Sequence, residues 1–515
     1  MREEEITEFE SPFESASLND SSWSNIKHYS PKTFILTSAQ ACYEPSKDED
    51  MPPAGAGEGK AIPHENLLES FEKLKEITDG RLVIFPIAGK NCKESILHED
   101  LEDRNDIFLG SQLVFNSNLQ YKDIVVPPQN VDPTTGRTSA VSKYGSSIII
   151  AHSKQRYLPV PVFNSQLPRY IYTTGAVTLP NYNLSNSKGD IADRNHVLGG
   201  LIVEVLDNKY YHIRNLRADE DGKFVDLGWE FDGSKDPKRI GVEAIVLGDI
   251  HWGDHDEQAI KANDEMIQYF QPKVIMLHDF FDGWSINHHE EDNYIRRARE
   301  LKRGRLSLED ELKEDYSELV RLSLSVPQDV KIKIVASNHH RFLQKYINSD
   351  RWKEKGDLWN AEMASYLFNK AIEAGRYLSE SNLDDSVLLL QEGMKRFGPI
   401  PRNVEFLKAQ DNCLIKGYQL AIHGDKGKNG GKGGNAKARS ITGGGKSITG
   451  HSHAMEIYEN TYIVGTSSRR DLPYTFGSSN AQIAANAVLY NNGAVQLIPS
   501  IEGNWALKDR LLWTP

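Results

Sequence analysis

The second half of the sequence predicts a layered α/β fold, and the first half a mixed α/β or β-rich one. Three observations carry this. Short apolar runs at Glu243–Leu247, Val274–Leu277, Ile332–Ala336 and Gln419–Ile422 read as buried strands. Helical stretches at His255–Phe270, Tyr294–Leu324 and Leu358–Ala374 alternate with them, as in a sheet flanked by helices. Each strand run leads straight into a cluster of Asp, Asn or His, and α/β folds carry their chemistry on loops at the carboxyl ends of strands.

The first half is less regular. Residues 1–30 are acidic and poor in apolar anchors, so they are expected to be disordered. Short β-rich runs follow at Phe34–Leu36, Arg81–Pro86, Ser147–Ala151, Tyr170–Thr174 and Leu201–Leu206, with one amphipathic helix near Glu65–Ile77. No internal repeat and no chemical motif stands out there. Gly233-Ser234-Lys235-Asp236-Pro237 reads as a linker. The expected division is a disordered segment 1–30, an N-terminal domain 31–235 of unknown role and a C-terminal domain 236–515.

With 515 residues, 39% hydrophobic and 26% charged, the composition is that of a soluble globular chain of more than one domain. No apolar run approaches the roughly 18 residues that a membrane-spanning helix needs. The acidic start does not resemble a signal peptide. Cys42, Cys92 and Cys413 stand far apart, which argues against a disulfide framework and for a cytoplasmic location. The net charge of −13 counts against a protein that coats nucleic acid with its whole surface. It does not exclude a nuclease, because positive potential is needed only along the backbone track and bound cations supply part of it.

The chemistry-bearing clusters, in chain order, are Gly248-Asp249-Ile250-His251, His278-Asp279-Phe280-Phe281-Asp282-Gly283, Ser337-Asn338-His339-His340, His423-Gly424-Asp425 and Gly450-His451-Ser452-His453. Side chains spaced i, i+2 after a strand project to one side, so Asp249 with His251, and His451 with His453, can each close on an ion. Carboxylate with imidazole suits Mn, Fe or Zn better than Ca or Mg. One Asp-x-His after a strand is usually a turn or cap. Five such clusters, all at strand ends, point to metal.

These motifs resemble the calcineurin-like metallophosphoesterase superfamily, whose pattern is D-x-H, G-D-x-x-D, G-N-H-[DE], H and G-H-x-H. The resemblance spans about residues 241–470 and implies a C-terminal four-layer αββα sandwich with two divalent metal ions, Mn²⁺ foremost and Fe, Zn or Mg as alternatives. It implies that Asp249, His251, Asp279 and His453 hold the first metal. Asp279 bridges to a second, which Asn338, His423 and His451 complete. His339 is then the catalytic residue beside the scissile phosphate, a general acid or a stabiliser of the transition state. Three positions depart from the pattern: His278 and Ser337 replace glycines, and His340 stands where an acidic residue usually orients the neighbouring histidine. Gly248-Asp249-Ile250-His251-Trp252-Gly253 is similar to SbcD-type DNA nucleases. His423–Gly430 and Val464-Gly465-Thr466-Ser467 are similar to phage-encoded early deoxyribonucleases that degrade host DNA.

Between His423 and His451 lies the segment Gly424–Gly450, with ten glycines among 27 residues and six basic residues against the single acid Asp425. Glycines admit close backbone approach, and Lys or Arg suits phosphate. Lys426, Lys428, Lys432, Lys437 and Arg439 are therefore candidate substrate contacts, together with His340. A second basic run, Arg296–Arg305, follows the Asp279 cluster. The reading reached is a metal-dependent deoxyribonuclease acting on DNA, without membrane association, as a homodimer or larger homo-oligomer, in the host cytoplasm if phage-encoded. A phosphatase or phosphodiesterase on small nucleotides or phosphoproteins is one alternative; a non-catalytic DNA-binding or assembly factor is the other.

Overall fold

A computed structural model describes residues 32–40, 57, 59–87, 97–163, 167–349, 351–353, 357–375, 386–442, 445–470 and 478–511. The segment 1–30, Cys42, Cys92, Gly443 and Gly444 lie outside the described residues. Cys413 is buried. The chain is mixed α/β and divides into two compact units. One holds the described residues up to Val160, Arg169–Arg239 and those from Ala506 onward; the other holds Pro161–Pro168 and Ile240–Trp505. Two segments thus cross the expected 235/236 boundary.

In the first unit β1 (Thr33–Gln40), β2 (Arg81–Ile87), β9 (Gly199–Val205) and β10 (Tyr211–Arg217) form a sheet in the order β10-β9-β1-β2. β1 runs parallel to β2 and antiparallel to β9. The helix Glu65–Thr78 buries Leu67, Phe71 and Leu74, spaced along one face, in a core with Ile35, Leu82 and Ile84. β3 (Gln112–Asn116), β4 (Leu119–Lys122), β5 (Ser147–Ile150), β8 (Arg169–Thr173) and β6 (Arg156–Val160) lie side by side in that order. Their inner three strands are parallel and the two outer ones antiparallel to their neighbours.

A small meander, β11 (Phe224–Asp226), β12 (Trp229–Phe231) and β13 (Lys238–Arg239), completes this unit. The segment Gly233–Pro237 is not an interdomain linker but the turn between β12 and β13. Gly233 sits at φ 65° and donates its N–H to Ser70 Oγ at 2.7 Å.

In the second unit β14 (Val242–Val246), β15 (Val274–Leu277), β16 (Lys331–Val335) and β17 (Val404–Leu407) are parallel. The antiparallel pair β24 (Ala484–Tyr490) and β25 (Val495–Ser500) extends the sheet beside β14, giving the order β17-β16-β15-β14-β24-β25. The helix Glu257–Phe270 starts where Asp256 Oδ1 accepts the Gln258 and Ala259 N–H groups at 2.8 and 3.3 Å. The expected helix Tyr294–Leu324 is two helices, Tyr294–Lys302 and Leu308–Ser325. Gly304 breaks it at φ 73°, and Ser307 caps the second by accepting from Asp310 N at 3.1 Å. β18 (Leu414–Ile415), β19 (Tyr418–Gln419), β20 (Ser447–Thr449), β22 (Thr461–Ile463) and β21 (Glu456–Tyr458) lie side by side in that order, the inner three parallel. The short pair β7 (Val162–Phe163) and β23 (Ser479–Asn480) is antiparallel.

Strand order and direction therefore coincide: β10-β9-β1-β2 matches β25-β24-β14-β15, and β3-β4-β5-β8-β6 matches β18-β19-β20-β22-β21. The structure thus shows a repeated winding that the sequence does not announce. Among the described residues no helix is long and apolar enough to cross a membrane.

Candidate metal centre

The chemistry-bearing residues of the second unit converge from its two sets of strands. Asp249, Asp279 and Asn338 follow β14, β15 and β16, while His423 follows β19, and His451 and His453 follow β20. Four of these residues have left-handed backbones: His251 (φ 50°), Asp279 (41°), His451 (76°) and His453 (56°). Each such conformation costs a non-glycine residue on the order of 1–3 kcal/mol and persists only where the surroundings impose it. Here the main chains of adjacent strand ends do so, with His251 N–H donating to Asp279 O at 2.7 Å and Ser467 N–H to Asp249 O at 2.7 Å. Gly450 is required for close approach: a Cβ there would sit 2.1 Å from Asp249 Oδ1. Without one, the His451 N–H reaches Asp249 Oδ2 at 2.6 Å.

Two groups of ligand atoms result. In the first, Asp249, His251, Asp279 and His453 present atoms all within 4.8 Å of one another. His251 Nε2 lies 3.0 Å from His453 Nε2 and 3.6 Å from Asp279 Oδ2, and His453 Nε2 lies 3.3 Å from Asp249 Oδ2. In the second, Asp279, His423 and His451 are gathered within the same limit. His423 Nε2 is 3.1 Å from Asp279 Oδ2 and 3.0 Å from Asn338 Oδ1, which is 3.1 Å from His451 Nδ1. Asp279 belongs to both groups, and its Oδ2 faces both.

The fit to divalent cations rests on the donor atoms themselves. Asp249 and Asp279 are fully buried, yet Oδ1 of each has no hydrogen-bond partner among the described residues. A buried carboxylate is costly without a cation or donors, and two such oxygens beside four imidazoles make a polar set that a metal completes. Burial pushes the Asp249 carboxyl up to about 6. Burial opposes charge on His251, but the Asp282 hydrogen bond and neighbouring carboxylates outweigh it and hold the imidazole at about 9. Burial lowers His451 to about 4 and takes His453 well below the usual histidine range. A cation binding at His251 Nε2 would displace its proton. These buried His and Asp groups could hold metal ions.

Asp282 was visible only as the second acid of the Asp279-x-x-Asp282 spacing, and it proves central. Its Oδ1 is 2.8 Å from His251 Nδ1, so Nδ1–H donates to it and Nε2 is left facing the centre. Its main-chain oxygen accepts from His339 Nδ1 at 2.6 Å. His339 is thereby oriented by Asp282, which removes the need for an acid at position 340. Its ring lies 4.5 Å from that of His251, next to the ligands. Gln482, which no motif signalled, reaches His453 Nδ1 at 3.2 Å. His278 Nδ1 lies 3.3 Å from His423 Nδ1.

The substrate candidates divide. Lys426, Lys428 and Lys432 are exposed, Lys437 is half-buried with its ammonium over the Tyr458 ring, and the segment includes a helix at Ala436–Thr442. Lys426, Lys428 and Arg439 line a cavity of about 470 Å³ with Ile422, Gly424, Ile441 and Thr449. Arg439 and His340 are both buried, unlike those lysines. Arg439 is buried and spends its guanidinium on Gly434 O at 2.7 Å, Gly450 O at 2.8 Å and Thr449 Oγ1, bracing the strand that carries His451. His340 is fully buried, and burial lowers it to about 3. His340 does not face solvent, whereas Arg439 borders the lysine-lined cavity. In the second basic run Arg296 pairs with Glu290, Arg297 with Asp357, Arg303 with Glu300 and Arg305 with Asp254, while Arg299, Lys302 and Arg303 are exposed.

No family model matches the chain. It is similar to a phage protein over most of its length: 26% identity over 490 residues to Protein A1 of Escherichia phage T5, covering 92% of this chain and 83% of that one. Among solved structures, Vps29 of Chaetomium thermophilum aligns at 13% identity over 38% of this chain and 92% of its own. At a TM-score of 0.19 that alignment has no bearing on the fold.

Proposed function

We propose that the second unit is a dinuclear phosphoesterase of the αββα metallophosphoesterase type and that the protein is a phage-encoded deoxyribonuclease acting in the host cytoplasm. The observation that carries this reading is the pair of ligand groups sharing Asp279, whose Oδ2 lies 3.1 Å from His423 Nε2 and 3.6 Å from His251 Nε2. Two divalent ions held there would supply positive charge to a phosphate and acidify water. Asp249, His251, Asp279 and His453 would hold one ion, and Asp279, Asn338, His423 and His451 the other. The chain's own contribution is orientation and proton handling. Asp282 fixes Nε2 of His251 toward the centre and turns the other ring nitrogen of His339 away from its carbonyl, free to serve a leaving oxygen. The exposed Lys426, Lys428 and Lys432 would follow a phosphate backbone. Similarity to a phage protein over most of the chain supports the phage setting.

The ion pairs of Arg296, Arg297 and Arg305 favour a second reading, a phosphodiesterase for small nucleotides, because they reduce the positive charge that the run 296–305 can offer a polymer. One assay separates the two: linear and circular DNA incubated with the purified protein and Mn²⁺, Mg²⁺ or EDTA. The nuclease reading predicts fragmentation with metal and none with EDTA. Intact DNA alongside hydrolysis of bis-p-nitrophenyl phosphate would replace it with the second.

A further inference from the structure

The shared winding of the two units lets each metal-centre position be traced in the first. Ser38 bridges Ala176 in parallel as Asp249 bridges Thr466. Val177 N–H donates to Ser38 O at 2.8 Å as Ser467 N–H donates to Asp249 O at 2.7 Å. Ser38 therefore occupies the Asp249 position and Gln40 that of His251. Ile35 pairs with Leu82 as Val246 pairs with Met276, which sets Phe85 in the place of Asp279. Ile150 pairs with Thr173 as Thr449 pairs with Ile463, so His152 matches His451 and Lys154 matches His453. Gln120 pairs with Ile148 as Gln419 pairs with Ser447, giving Ile124 for His423. Among the described residues β2 has no neighbour corresponding to β16, so Asn338 and His339 have no counterpart.

The replacements fit packing, not metal. Phe85 is fully buried and stacks on Tyr121 with ring centroids 3.8 Å apart, filling the space of the shared carboxylate with an apolar ring. Gln40 donates from Nε2 to Asn181 O at 2.6 Å. His152 alone keeps a ligand type, and both its nitrogens are occupied: Nε2 lies 3.2 Å from Pro127 O, and Nδ1 accepts from Lys154 N at 3.0 Å. The cleft at these strand ends holds about 110 Å³ between Phe108, Tyr121, Asp123, Ile124, Val126 and Ala151. That is less than the roughly 150 Å³ known to admit benzene. It is too small for two hydrated ions and a phosphodiester.

We propose that the first unit is a second copy of the fold of the metal-bearing unit whose own centre has been replaced by packing, so that each chain carries a single dinuclear centre. This rests on the reading of the second unit as that centre. The test is Mn²⁺ content of the full chain after equilibrium dialysis, with circular dichroism confirming the fold of each variant. Wild type should hold about two ions. Asp249→Asn with Asp279→Asn should hold fewer than about half an ion, and His152→Gln about two. Lys154→Ala, at the His453 position, is the second variant should His152→Gln fail to fold, and should also leave two ions bound. An ion retained by the double variant would overturn the proposal. Its loss on adding His152→Gln would assign it to the first unit, and its persistence would place it outside both sets. A wild type without Mn²⁺ would instead remove the dinuclear reading, and this proposal with it.

Discussion

In the first unit the deepest charges are balanced from within. Arg214 is fully buried between Glu204, at 2.8 and 2.9 Å, and Asp226, at 2.9 and 3.1 Å, while Arg510 reaches Asp226 at 2.6 Å. In the second unit the buried carboxylates of Asp249 and Asp279 each keep an oxygen without a partner among the described residues. Removing a carboxylate from water costs several kcal/mol; a guanidinium offsets that at one site, and a bound cation could do so at the other. The same winding thus supports two electrostatic solutions. One is complete on folding; the other stays chemically unsaturated, which is the condition for binding and catalysis.

The largest expected break in this contrast comes from Asp279→Asn. It should abolish hydrolysis and bring bound metal well below two ions while leaving the unfolding temperature near that of wild type, because the residue lies beyond the strand end. Near wild-type activity would show the shared ligand to be misassigned. His339→Ala should keep both ions and lose roughly 10²–10⁴-fold in turnover, the range for a group that handles a proton. Loss of metal in that variant would make His339 a ligand instead. Asp282→Asn should weaken metal affinity or activity by about 10–100-fold, as expected for the partner that orients a ligating histidine. An unchanged metal-binding isotherm and rate would deny it that role.

The first unit should answer to pH. Burial opposes charge on Asp226, but Arg214 and Arg510 outweigh it and hold the carboxyl at about 2, below its ordinary 3.8. A depressed carboxyl contributes stability that is present above the unfolded value and lost as pH falls through the folded one. Denaturant unfolding should therefore show a loss on the order of 2 kcal/mol between about pH 4 and pH 2. Asp226→Asn should flatten that dependence, and an unaltered slope would contradict the assignment. The smallest effect concerns the lysines: Lys426, Lys428 and Lys432 changed together to Ala should reduce the slope of log K against log salt for duplex DNA by about 0.9 for each phosphate that is no longer neutralised. Hydrolysis of bis-p-nitrophenyl phosphate should barely move. A reversed outcome would put these lysines in the catalytic centre.

Legibility from sequence follows the same division. β15 lies where the Val274–Leu277 run places it, and the residues gathered around Asp279 stood out as five polar clusters at strand ends. They were visible because ligands are few in type and cannot be exchanged without losing the ion. The pair β24–β25 escaped notice because its apolar run carries no cluster, and it joins the sheet beside β14 from far along the chain. The matching winding of the first unit was invisible for a related reason. Where Phe85, Ile124 and Lys154 replace ligands, packing tolerates many side chains, and only strand order and register preserve the correspondence. His340 misled because residue type does not reveal burial, and it turns inward. Gly233–Pro237 misled because a tight turn and a linker share the same composition.

The central claim is that two cations share Asp279 in the second unit and none sits at the equivalent place in the first. Anomalous scattering from crystals grown with Mn²⁺ tests it most directly. The account predicts two peaks per chain, roughly 3.5–4 Å apart on either side of Asp279, and none near His152. A single peak, peaks away from Asp279, or a peak beside His152 would contradict it.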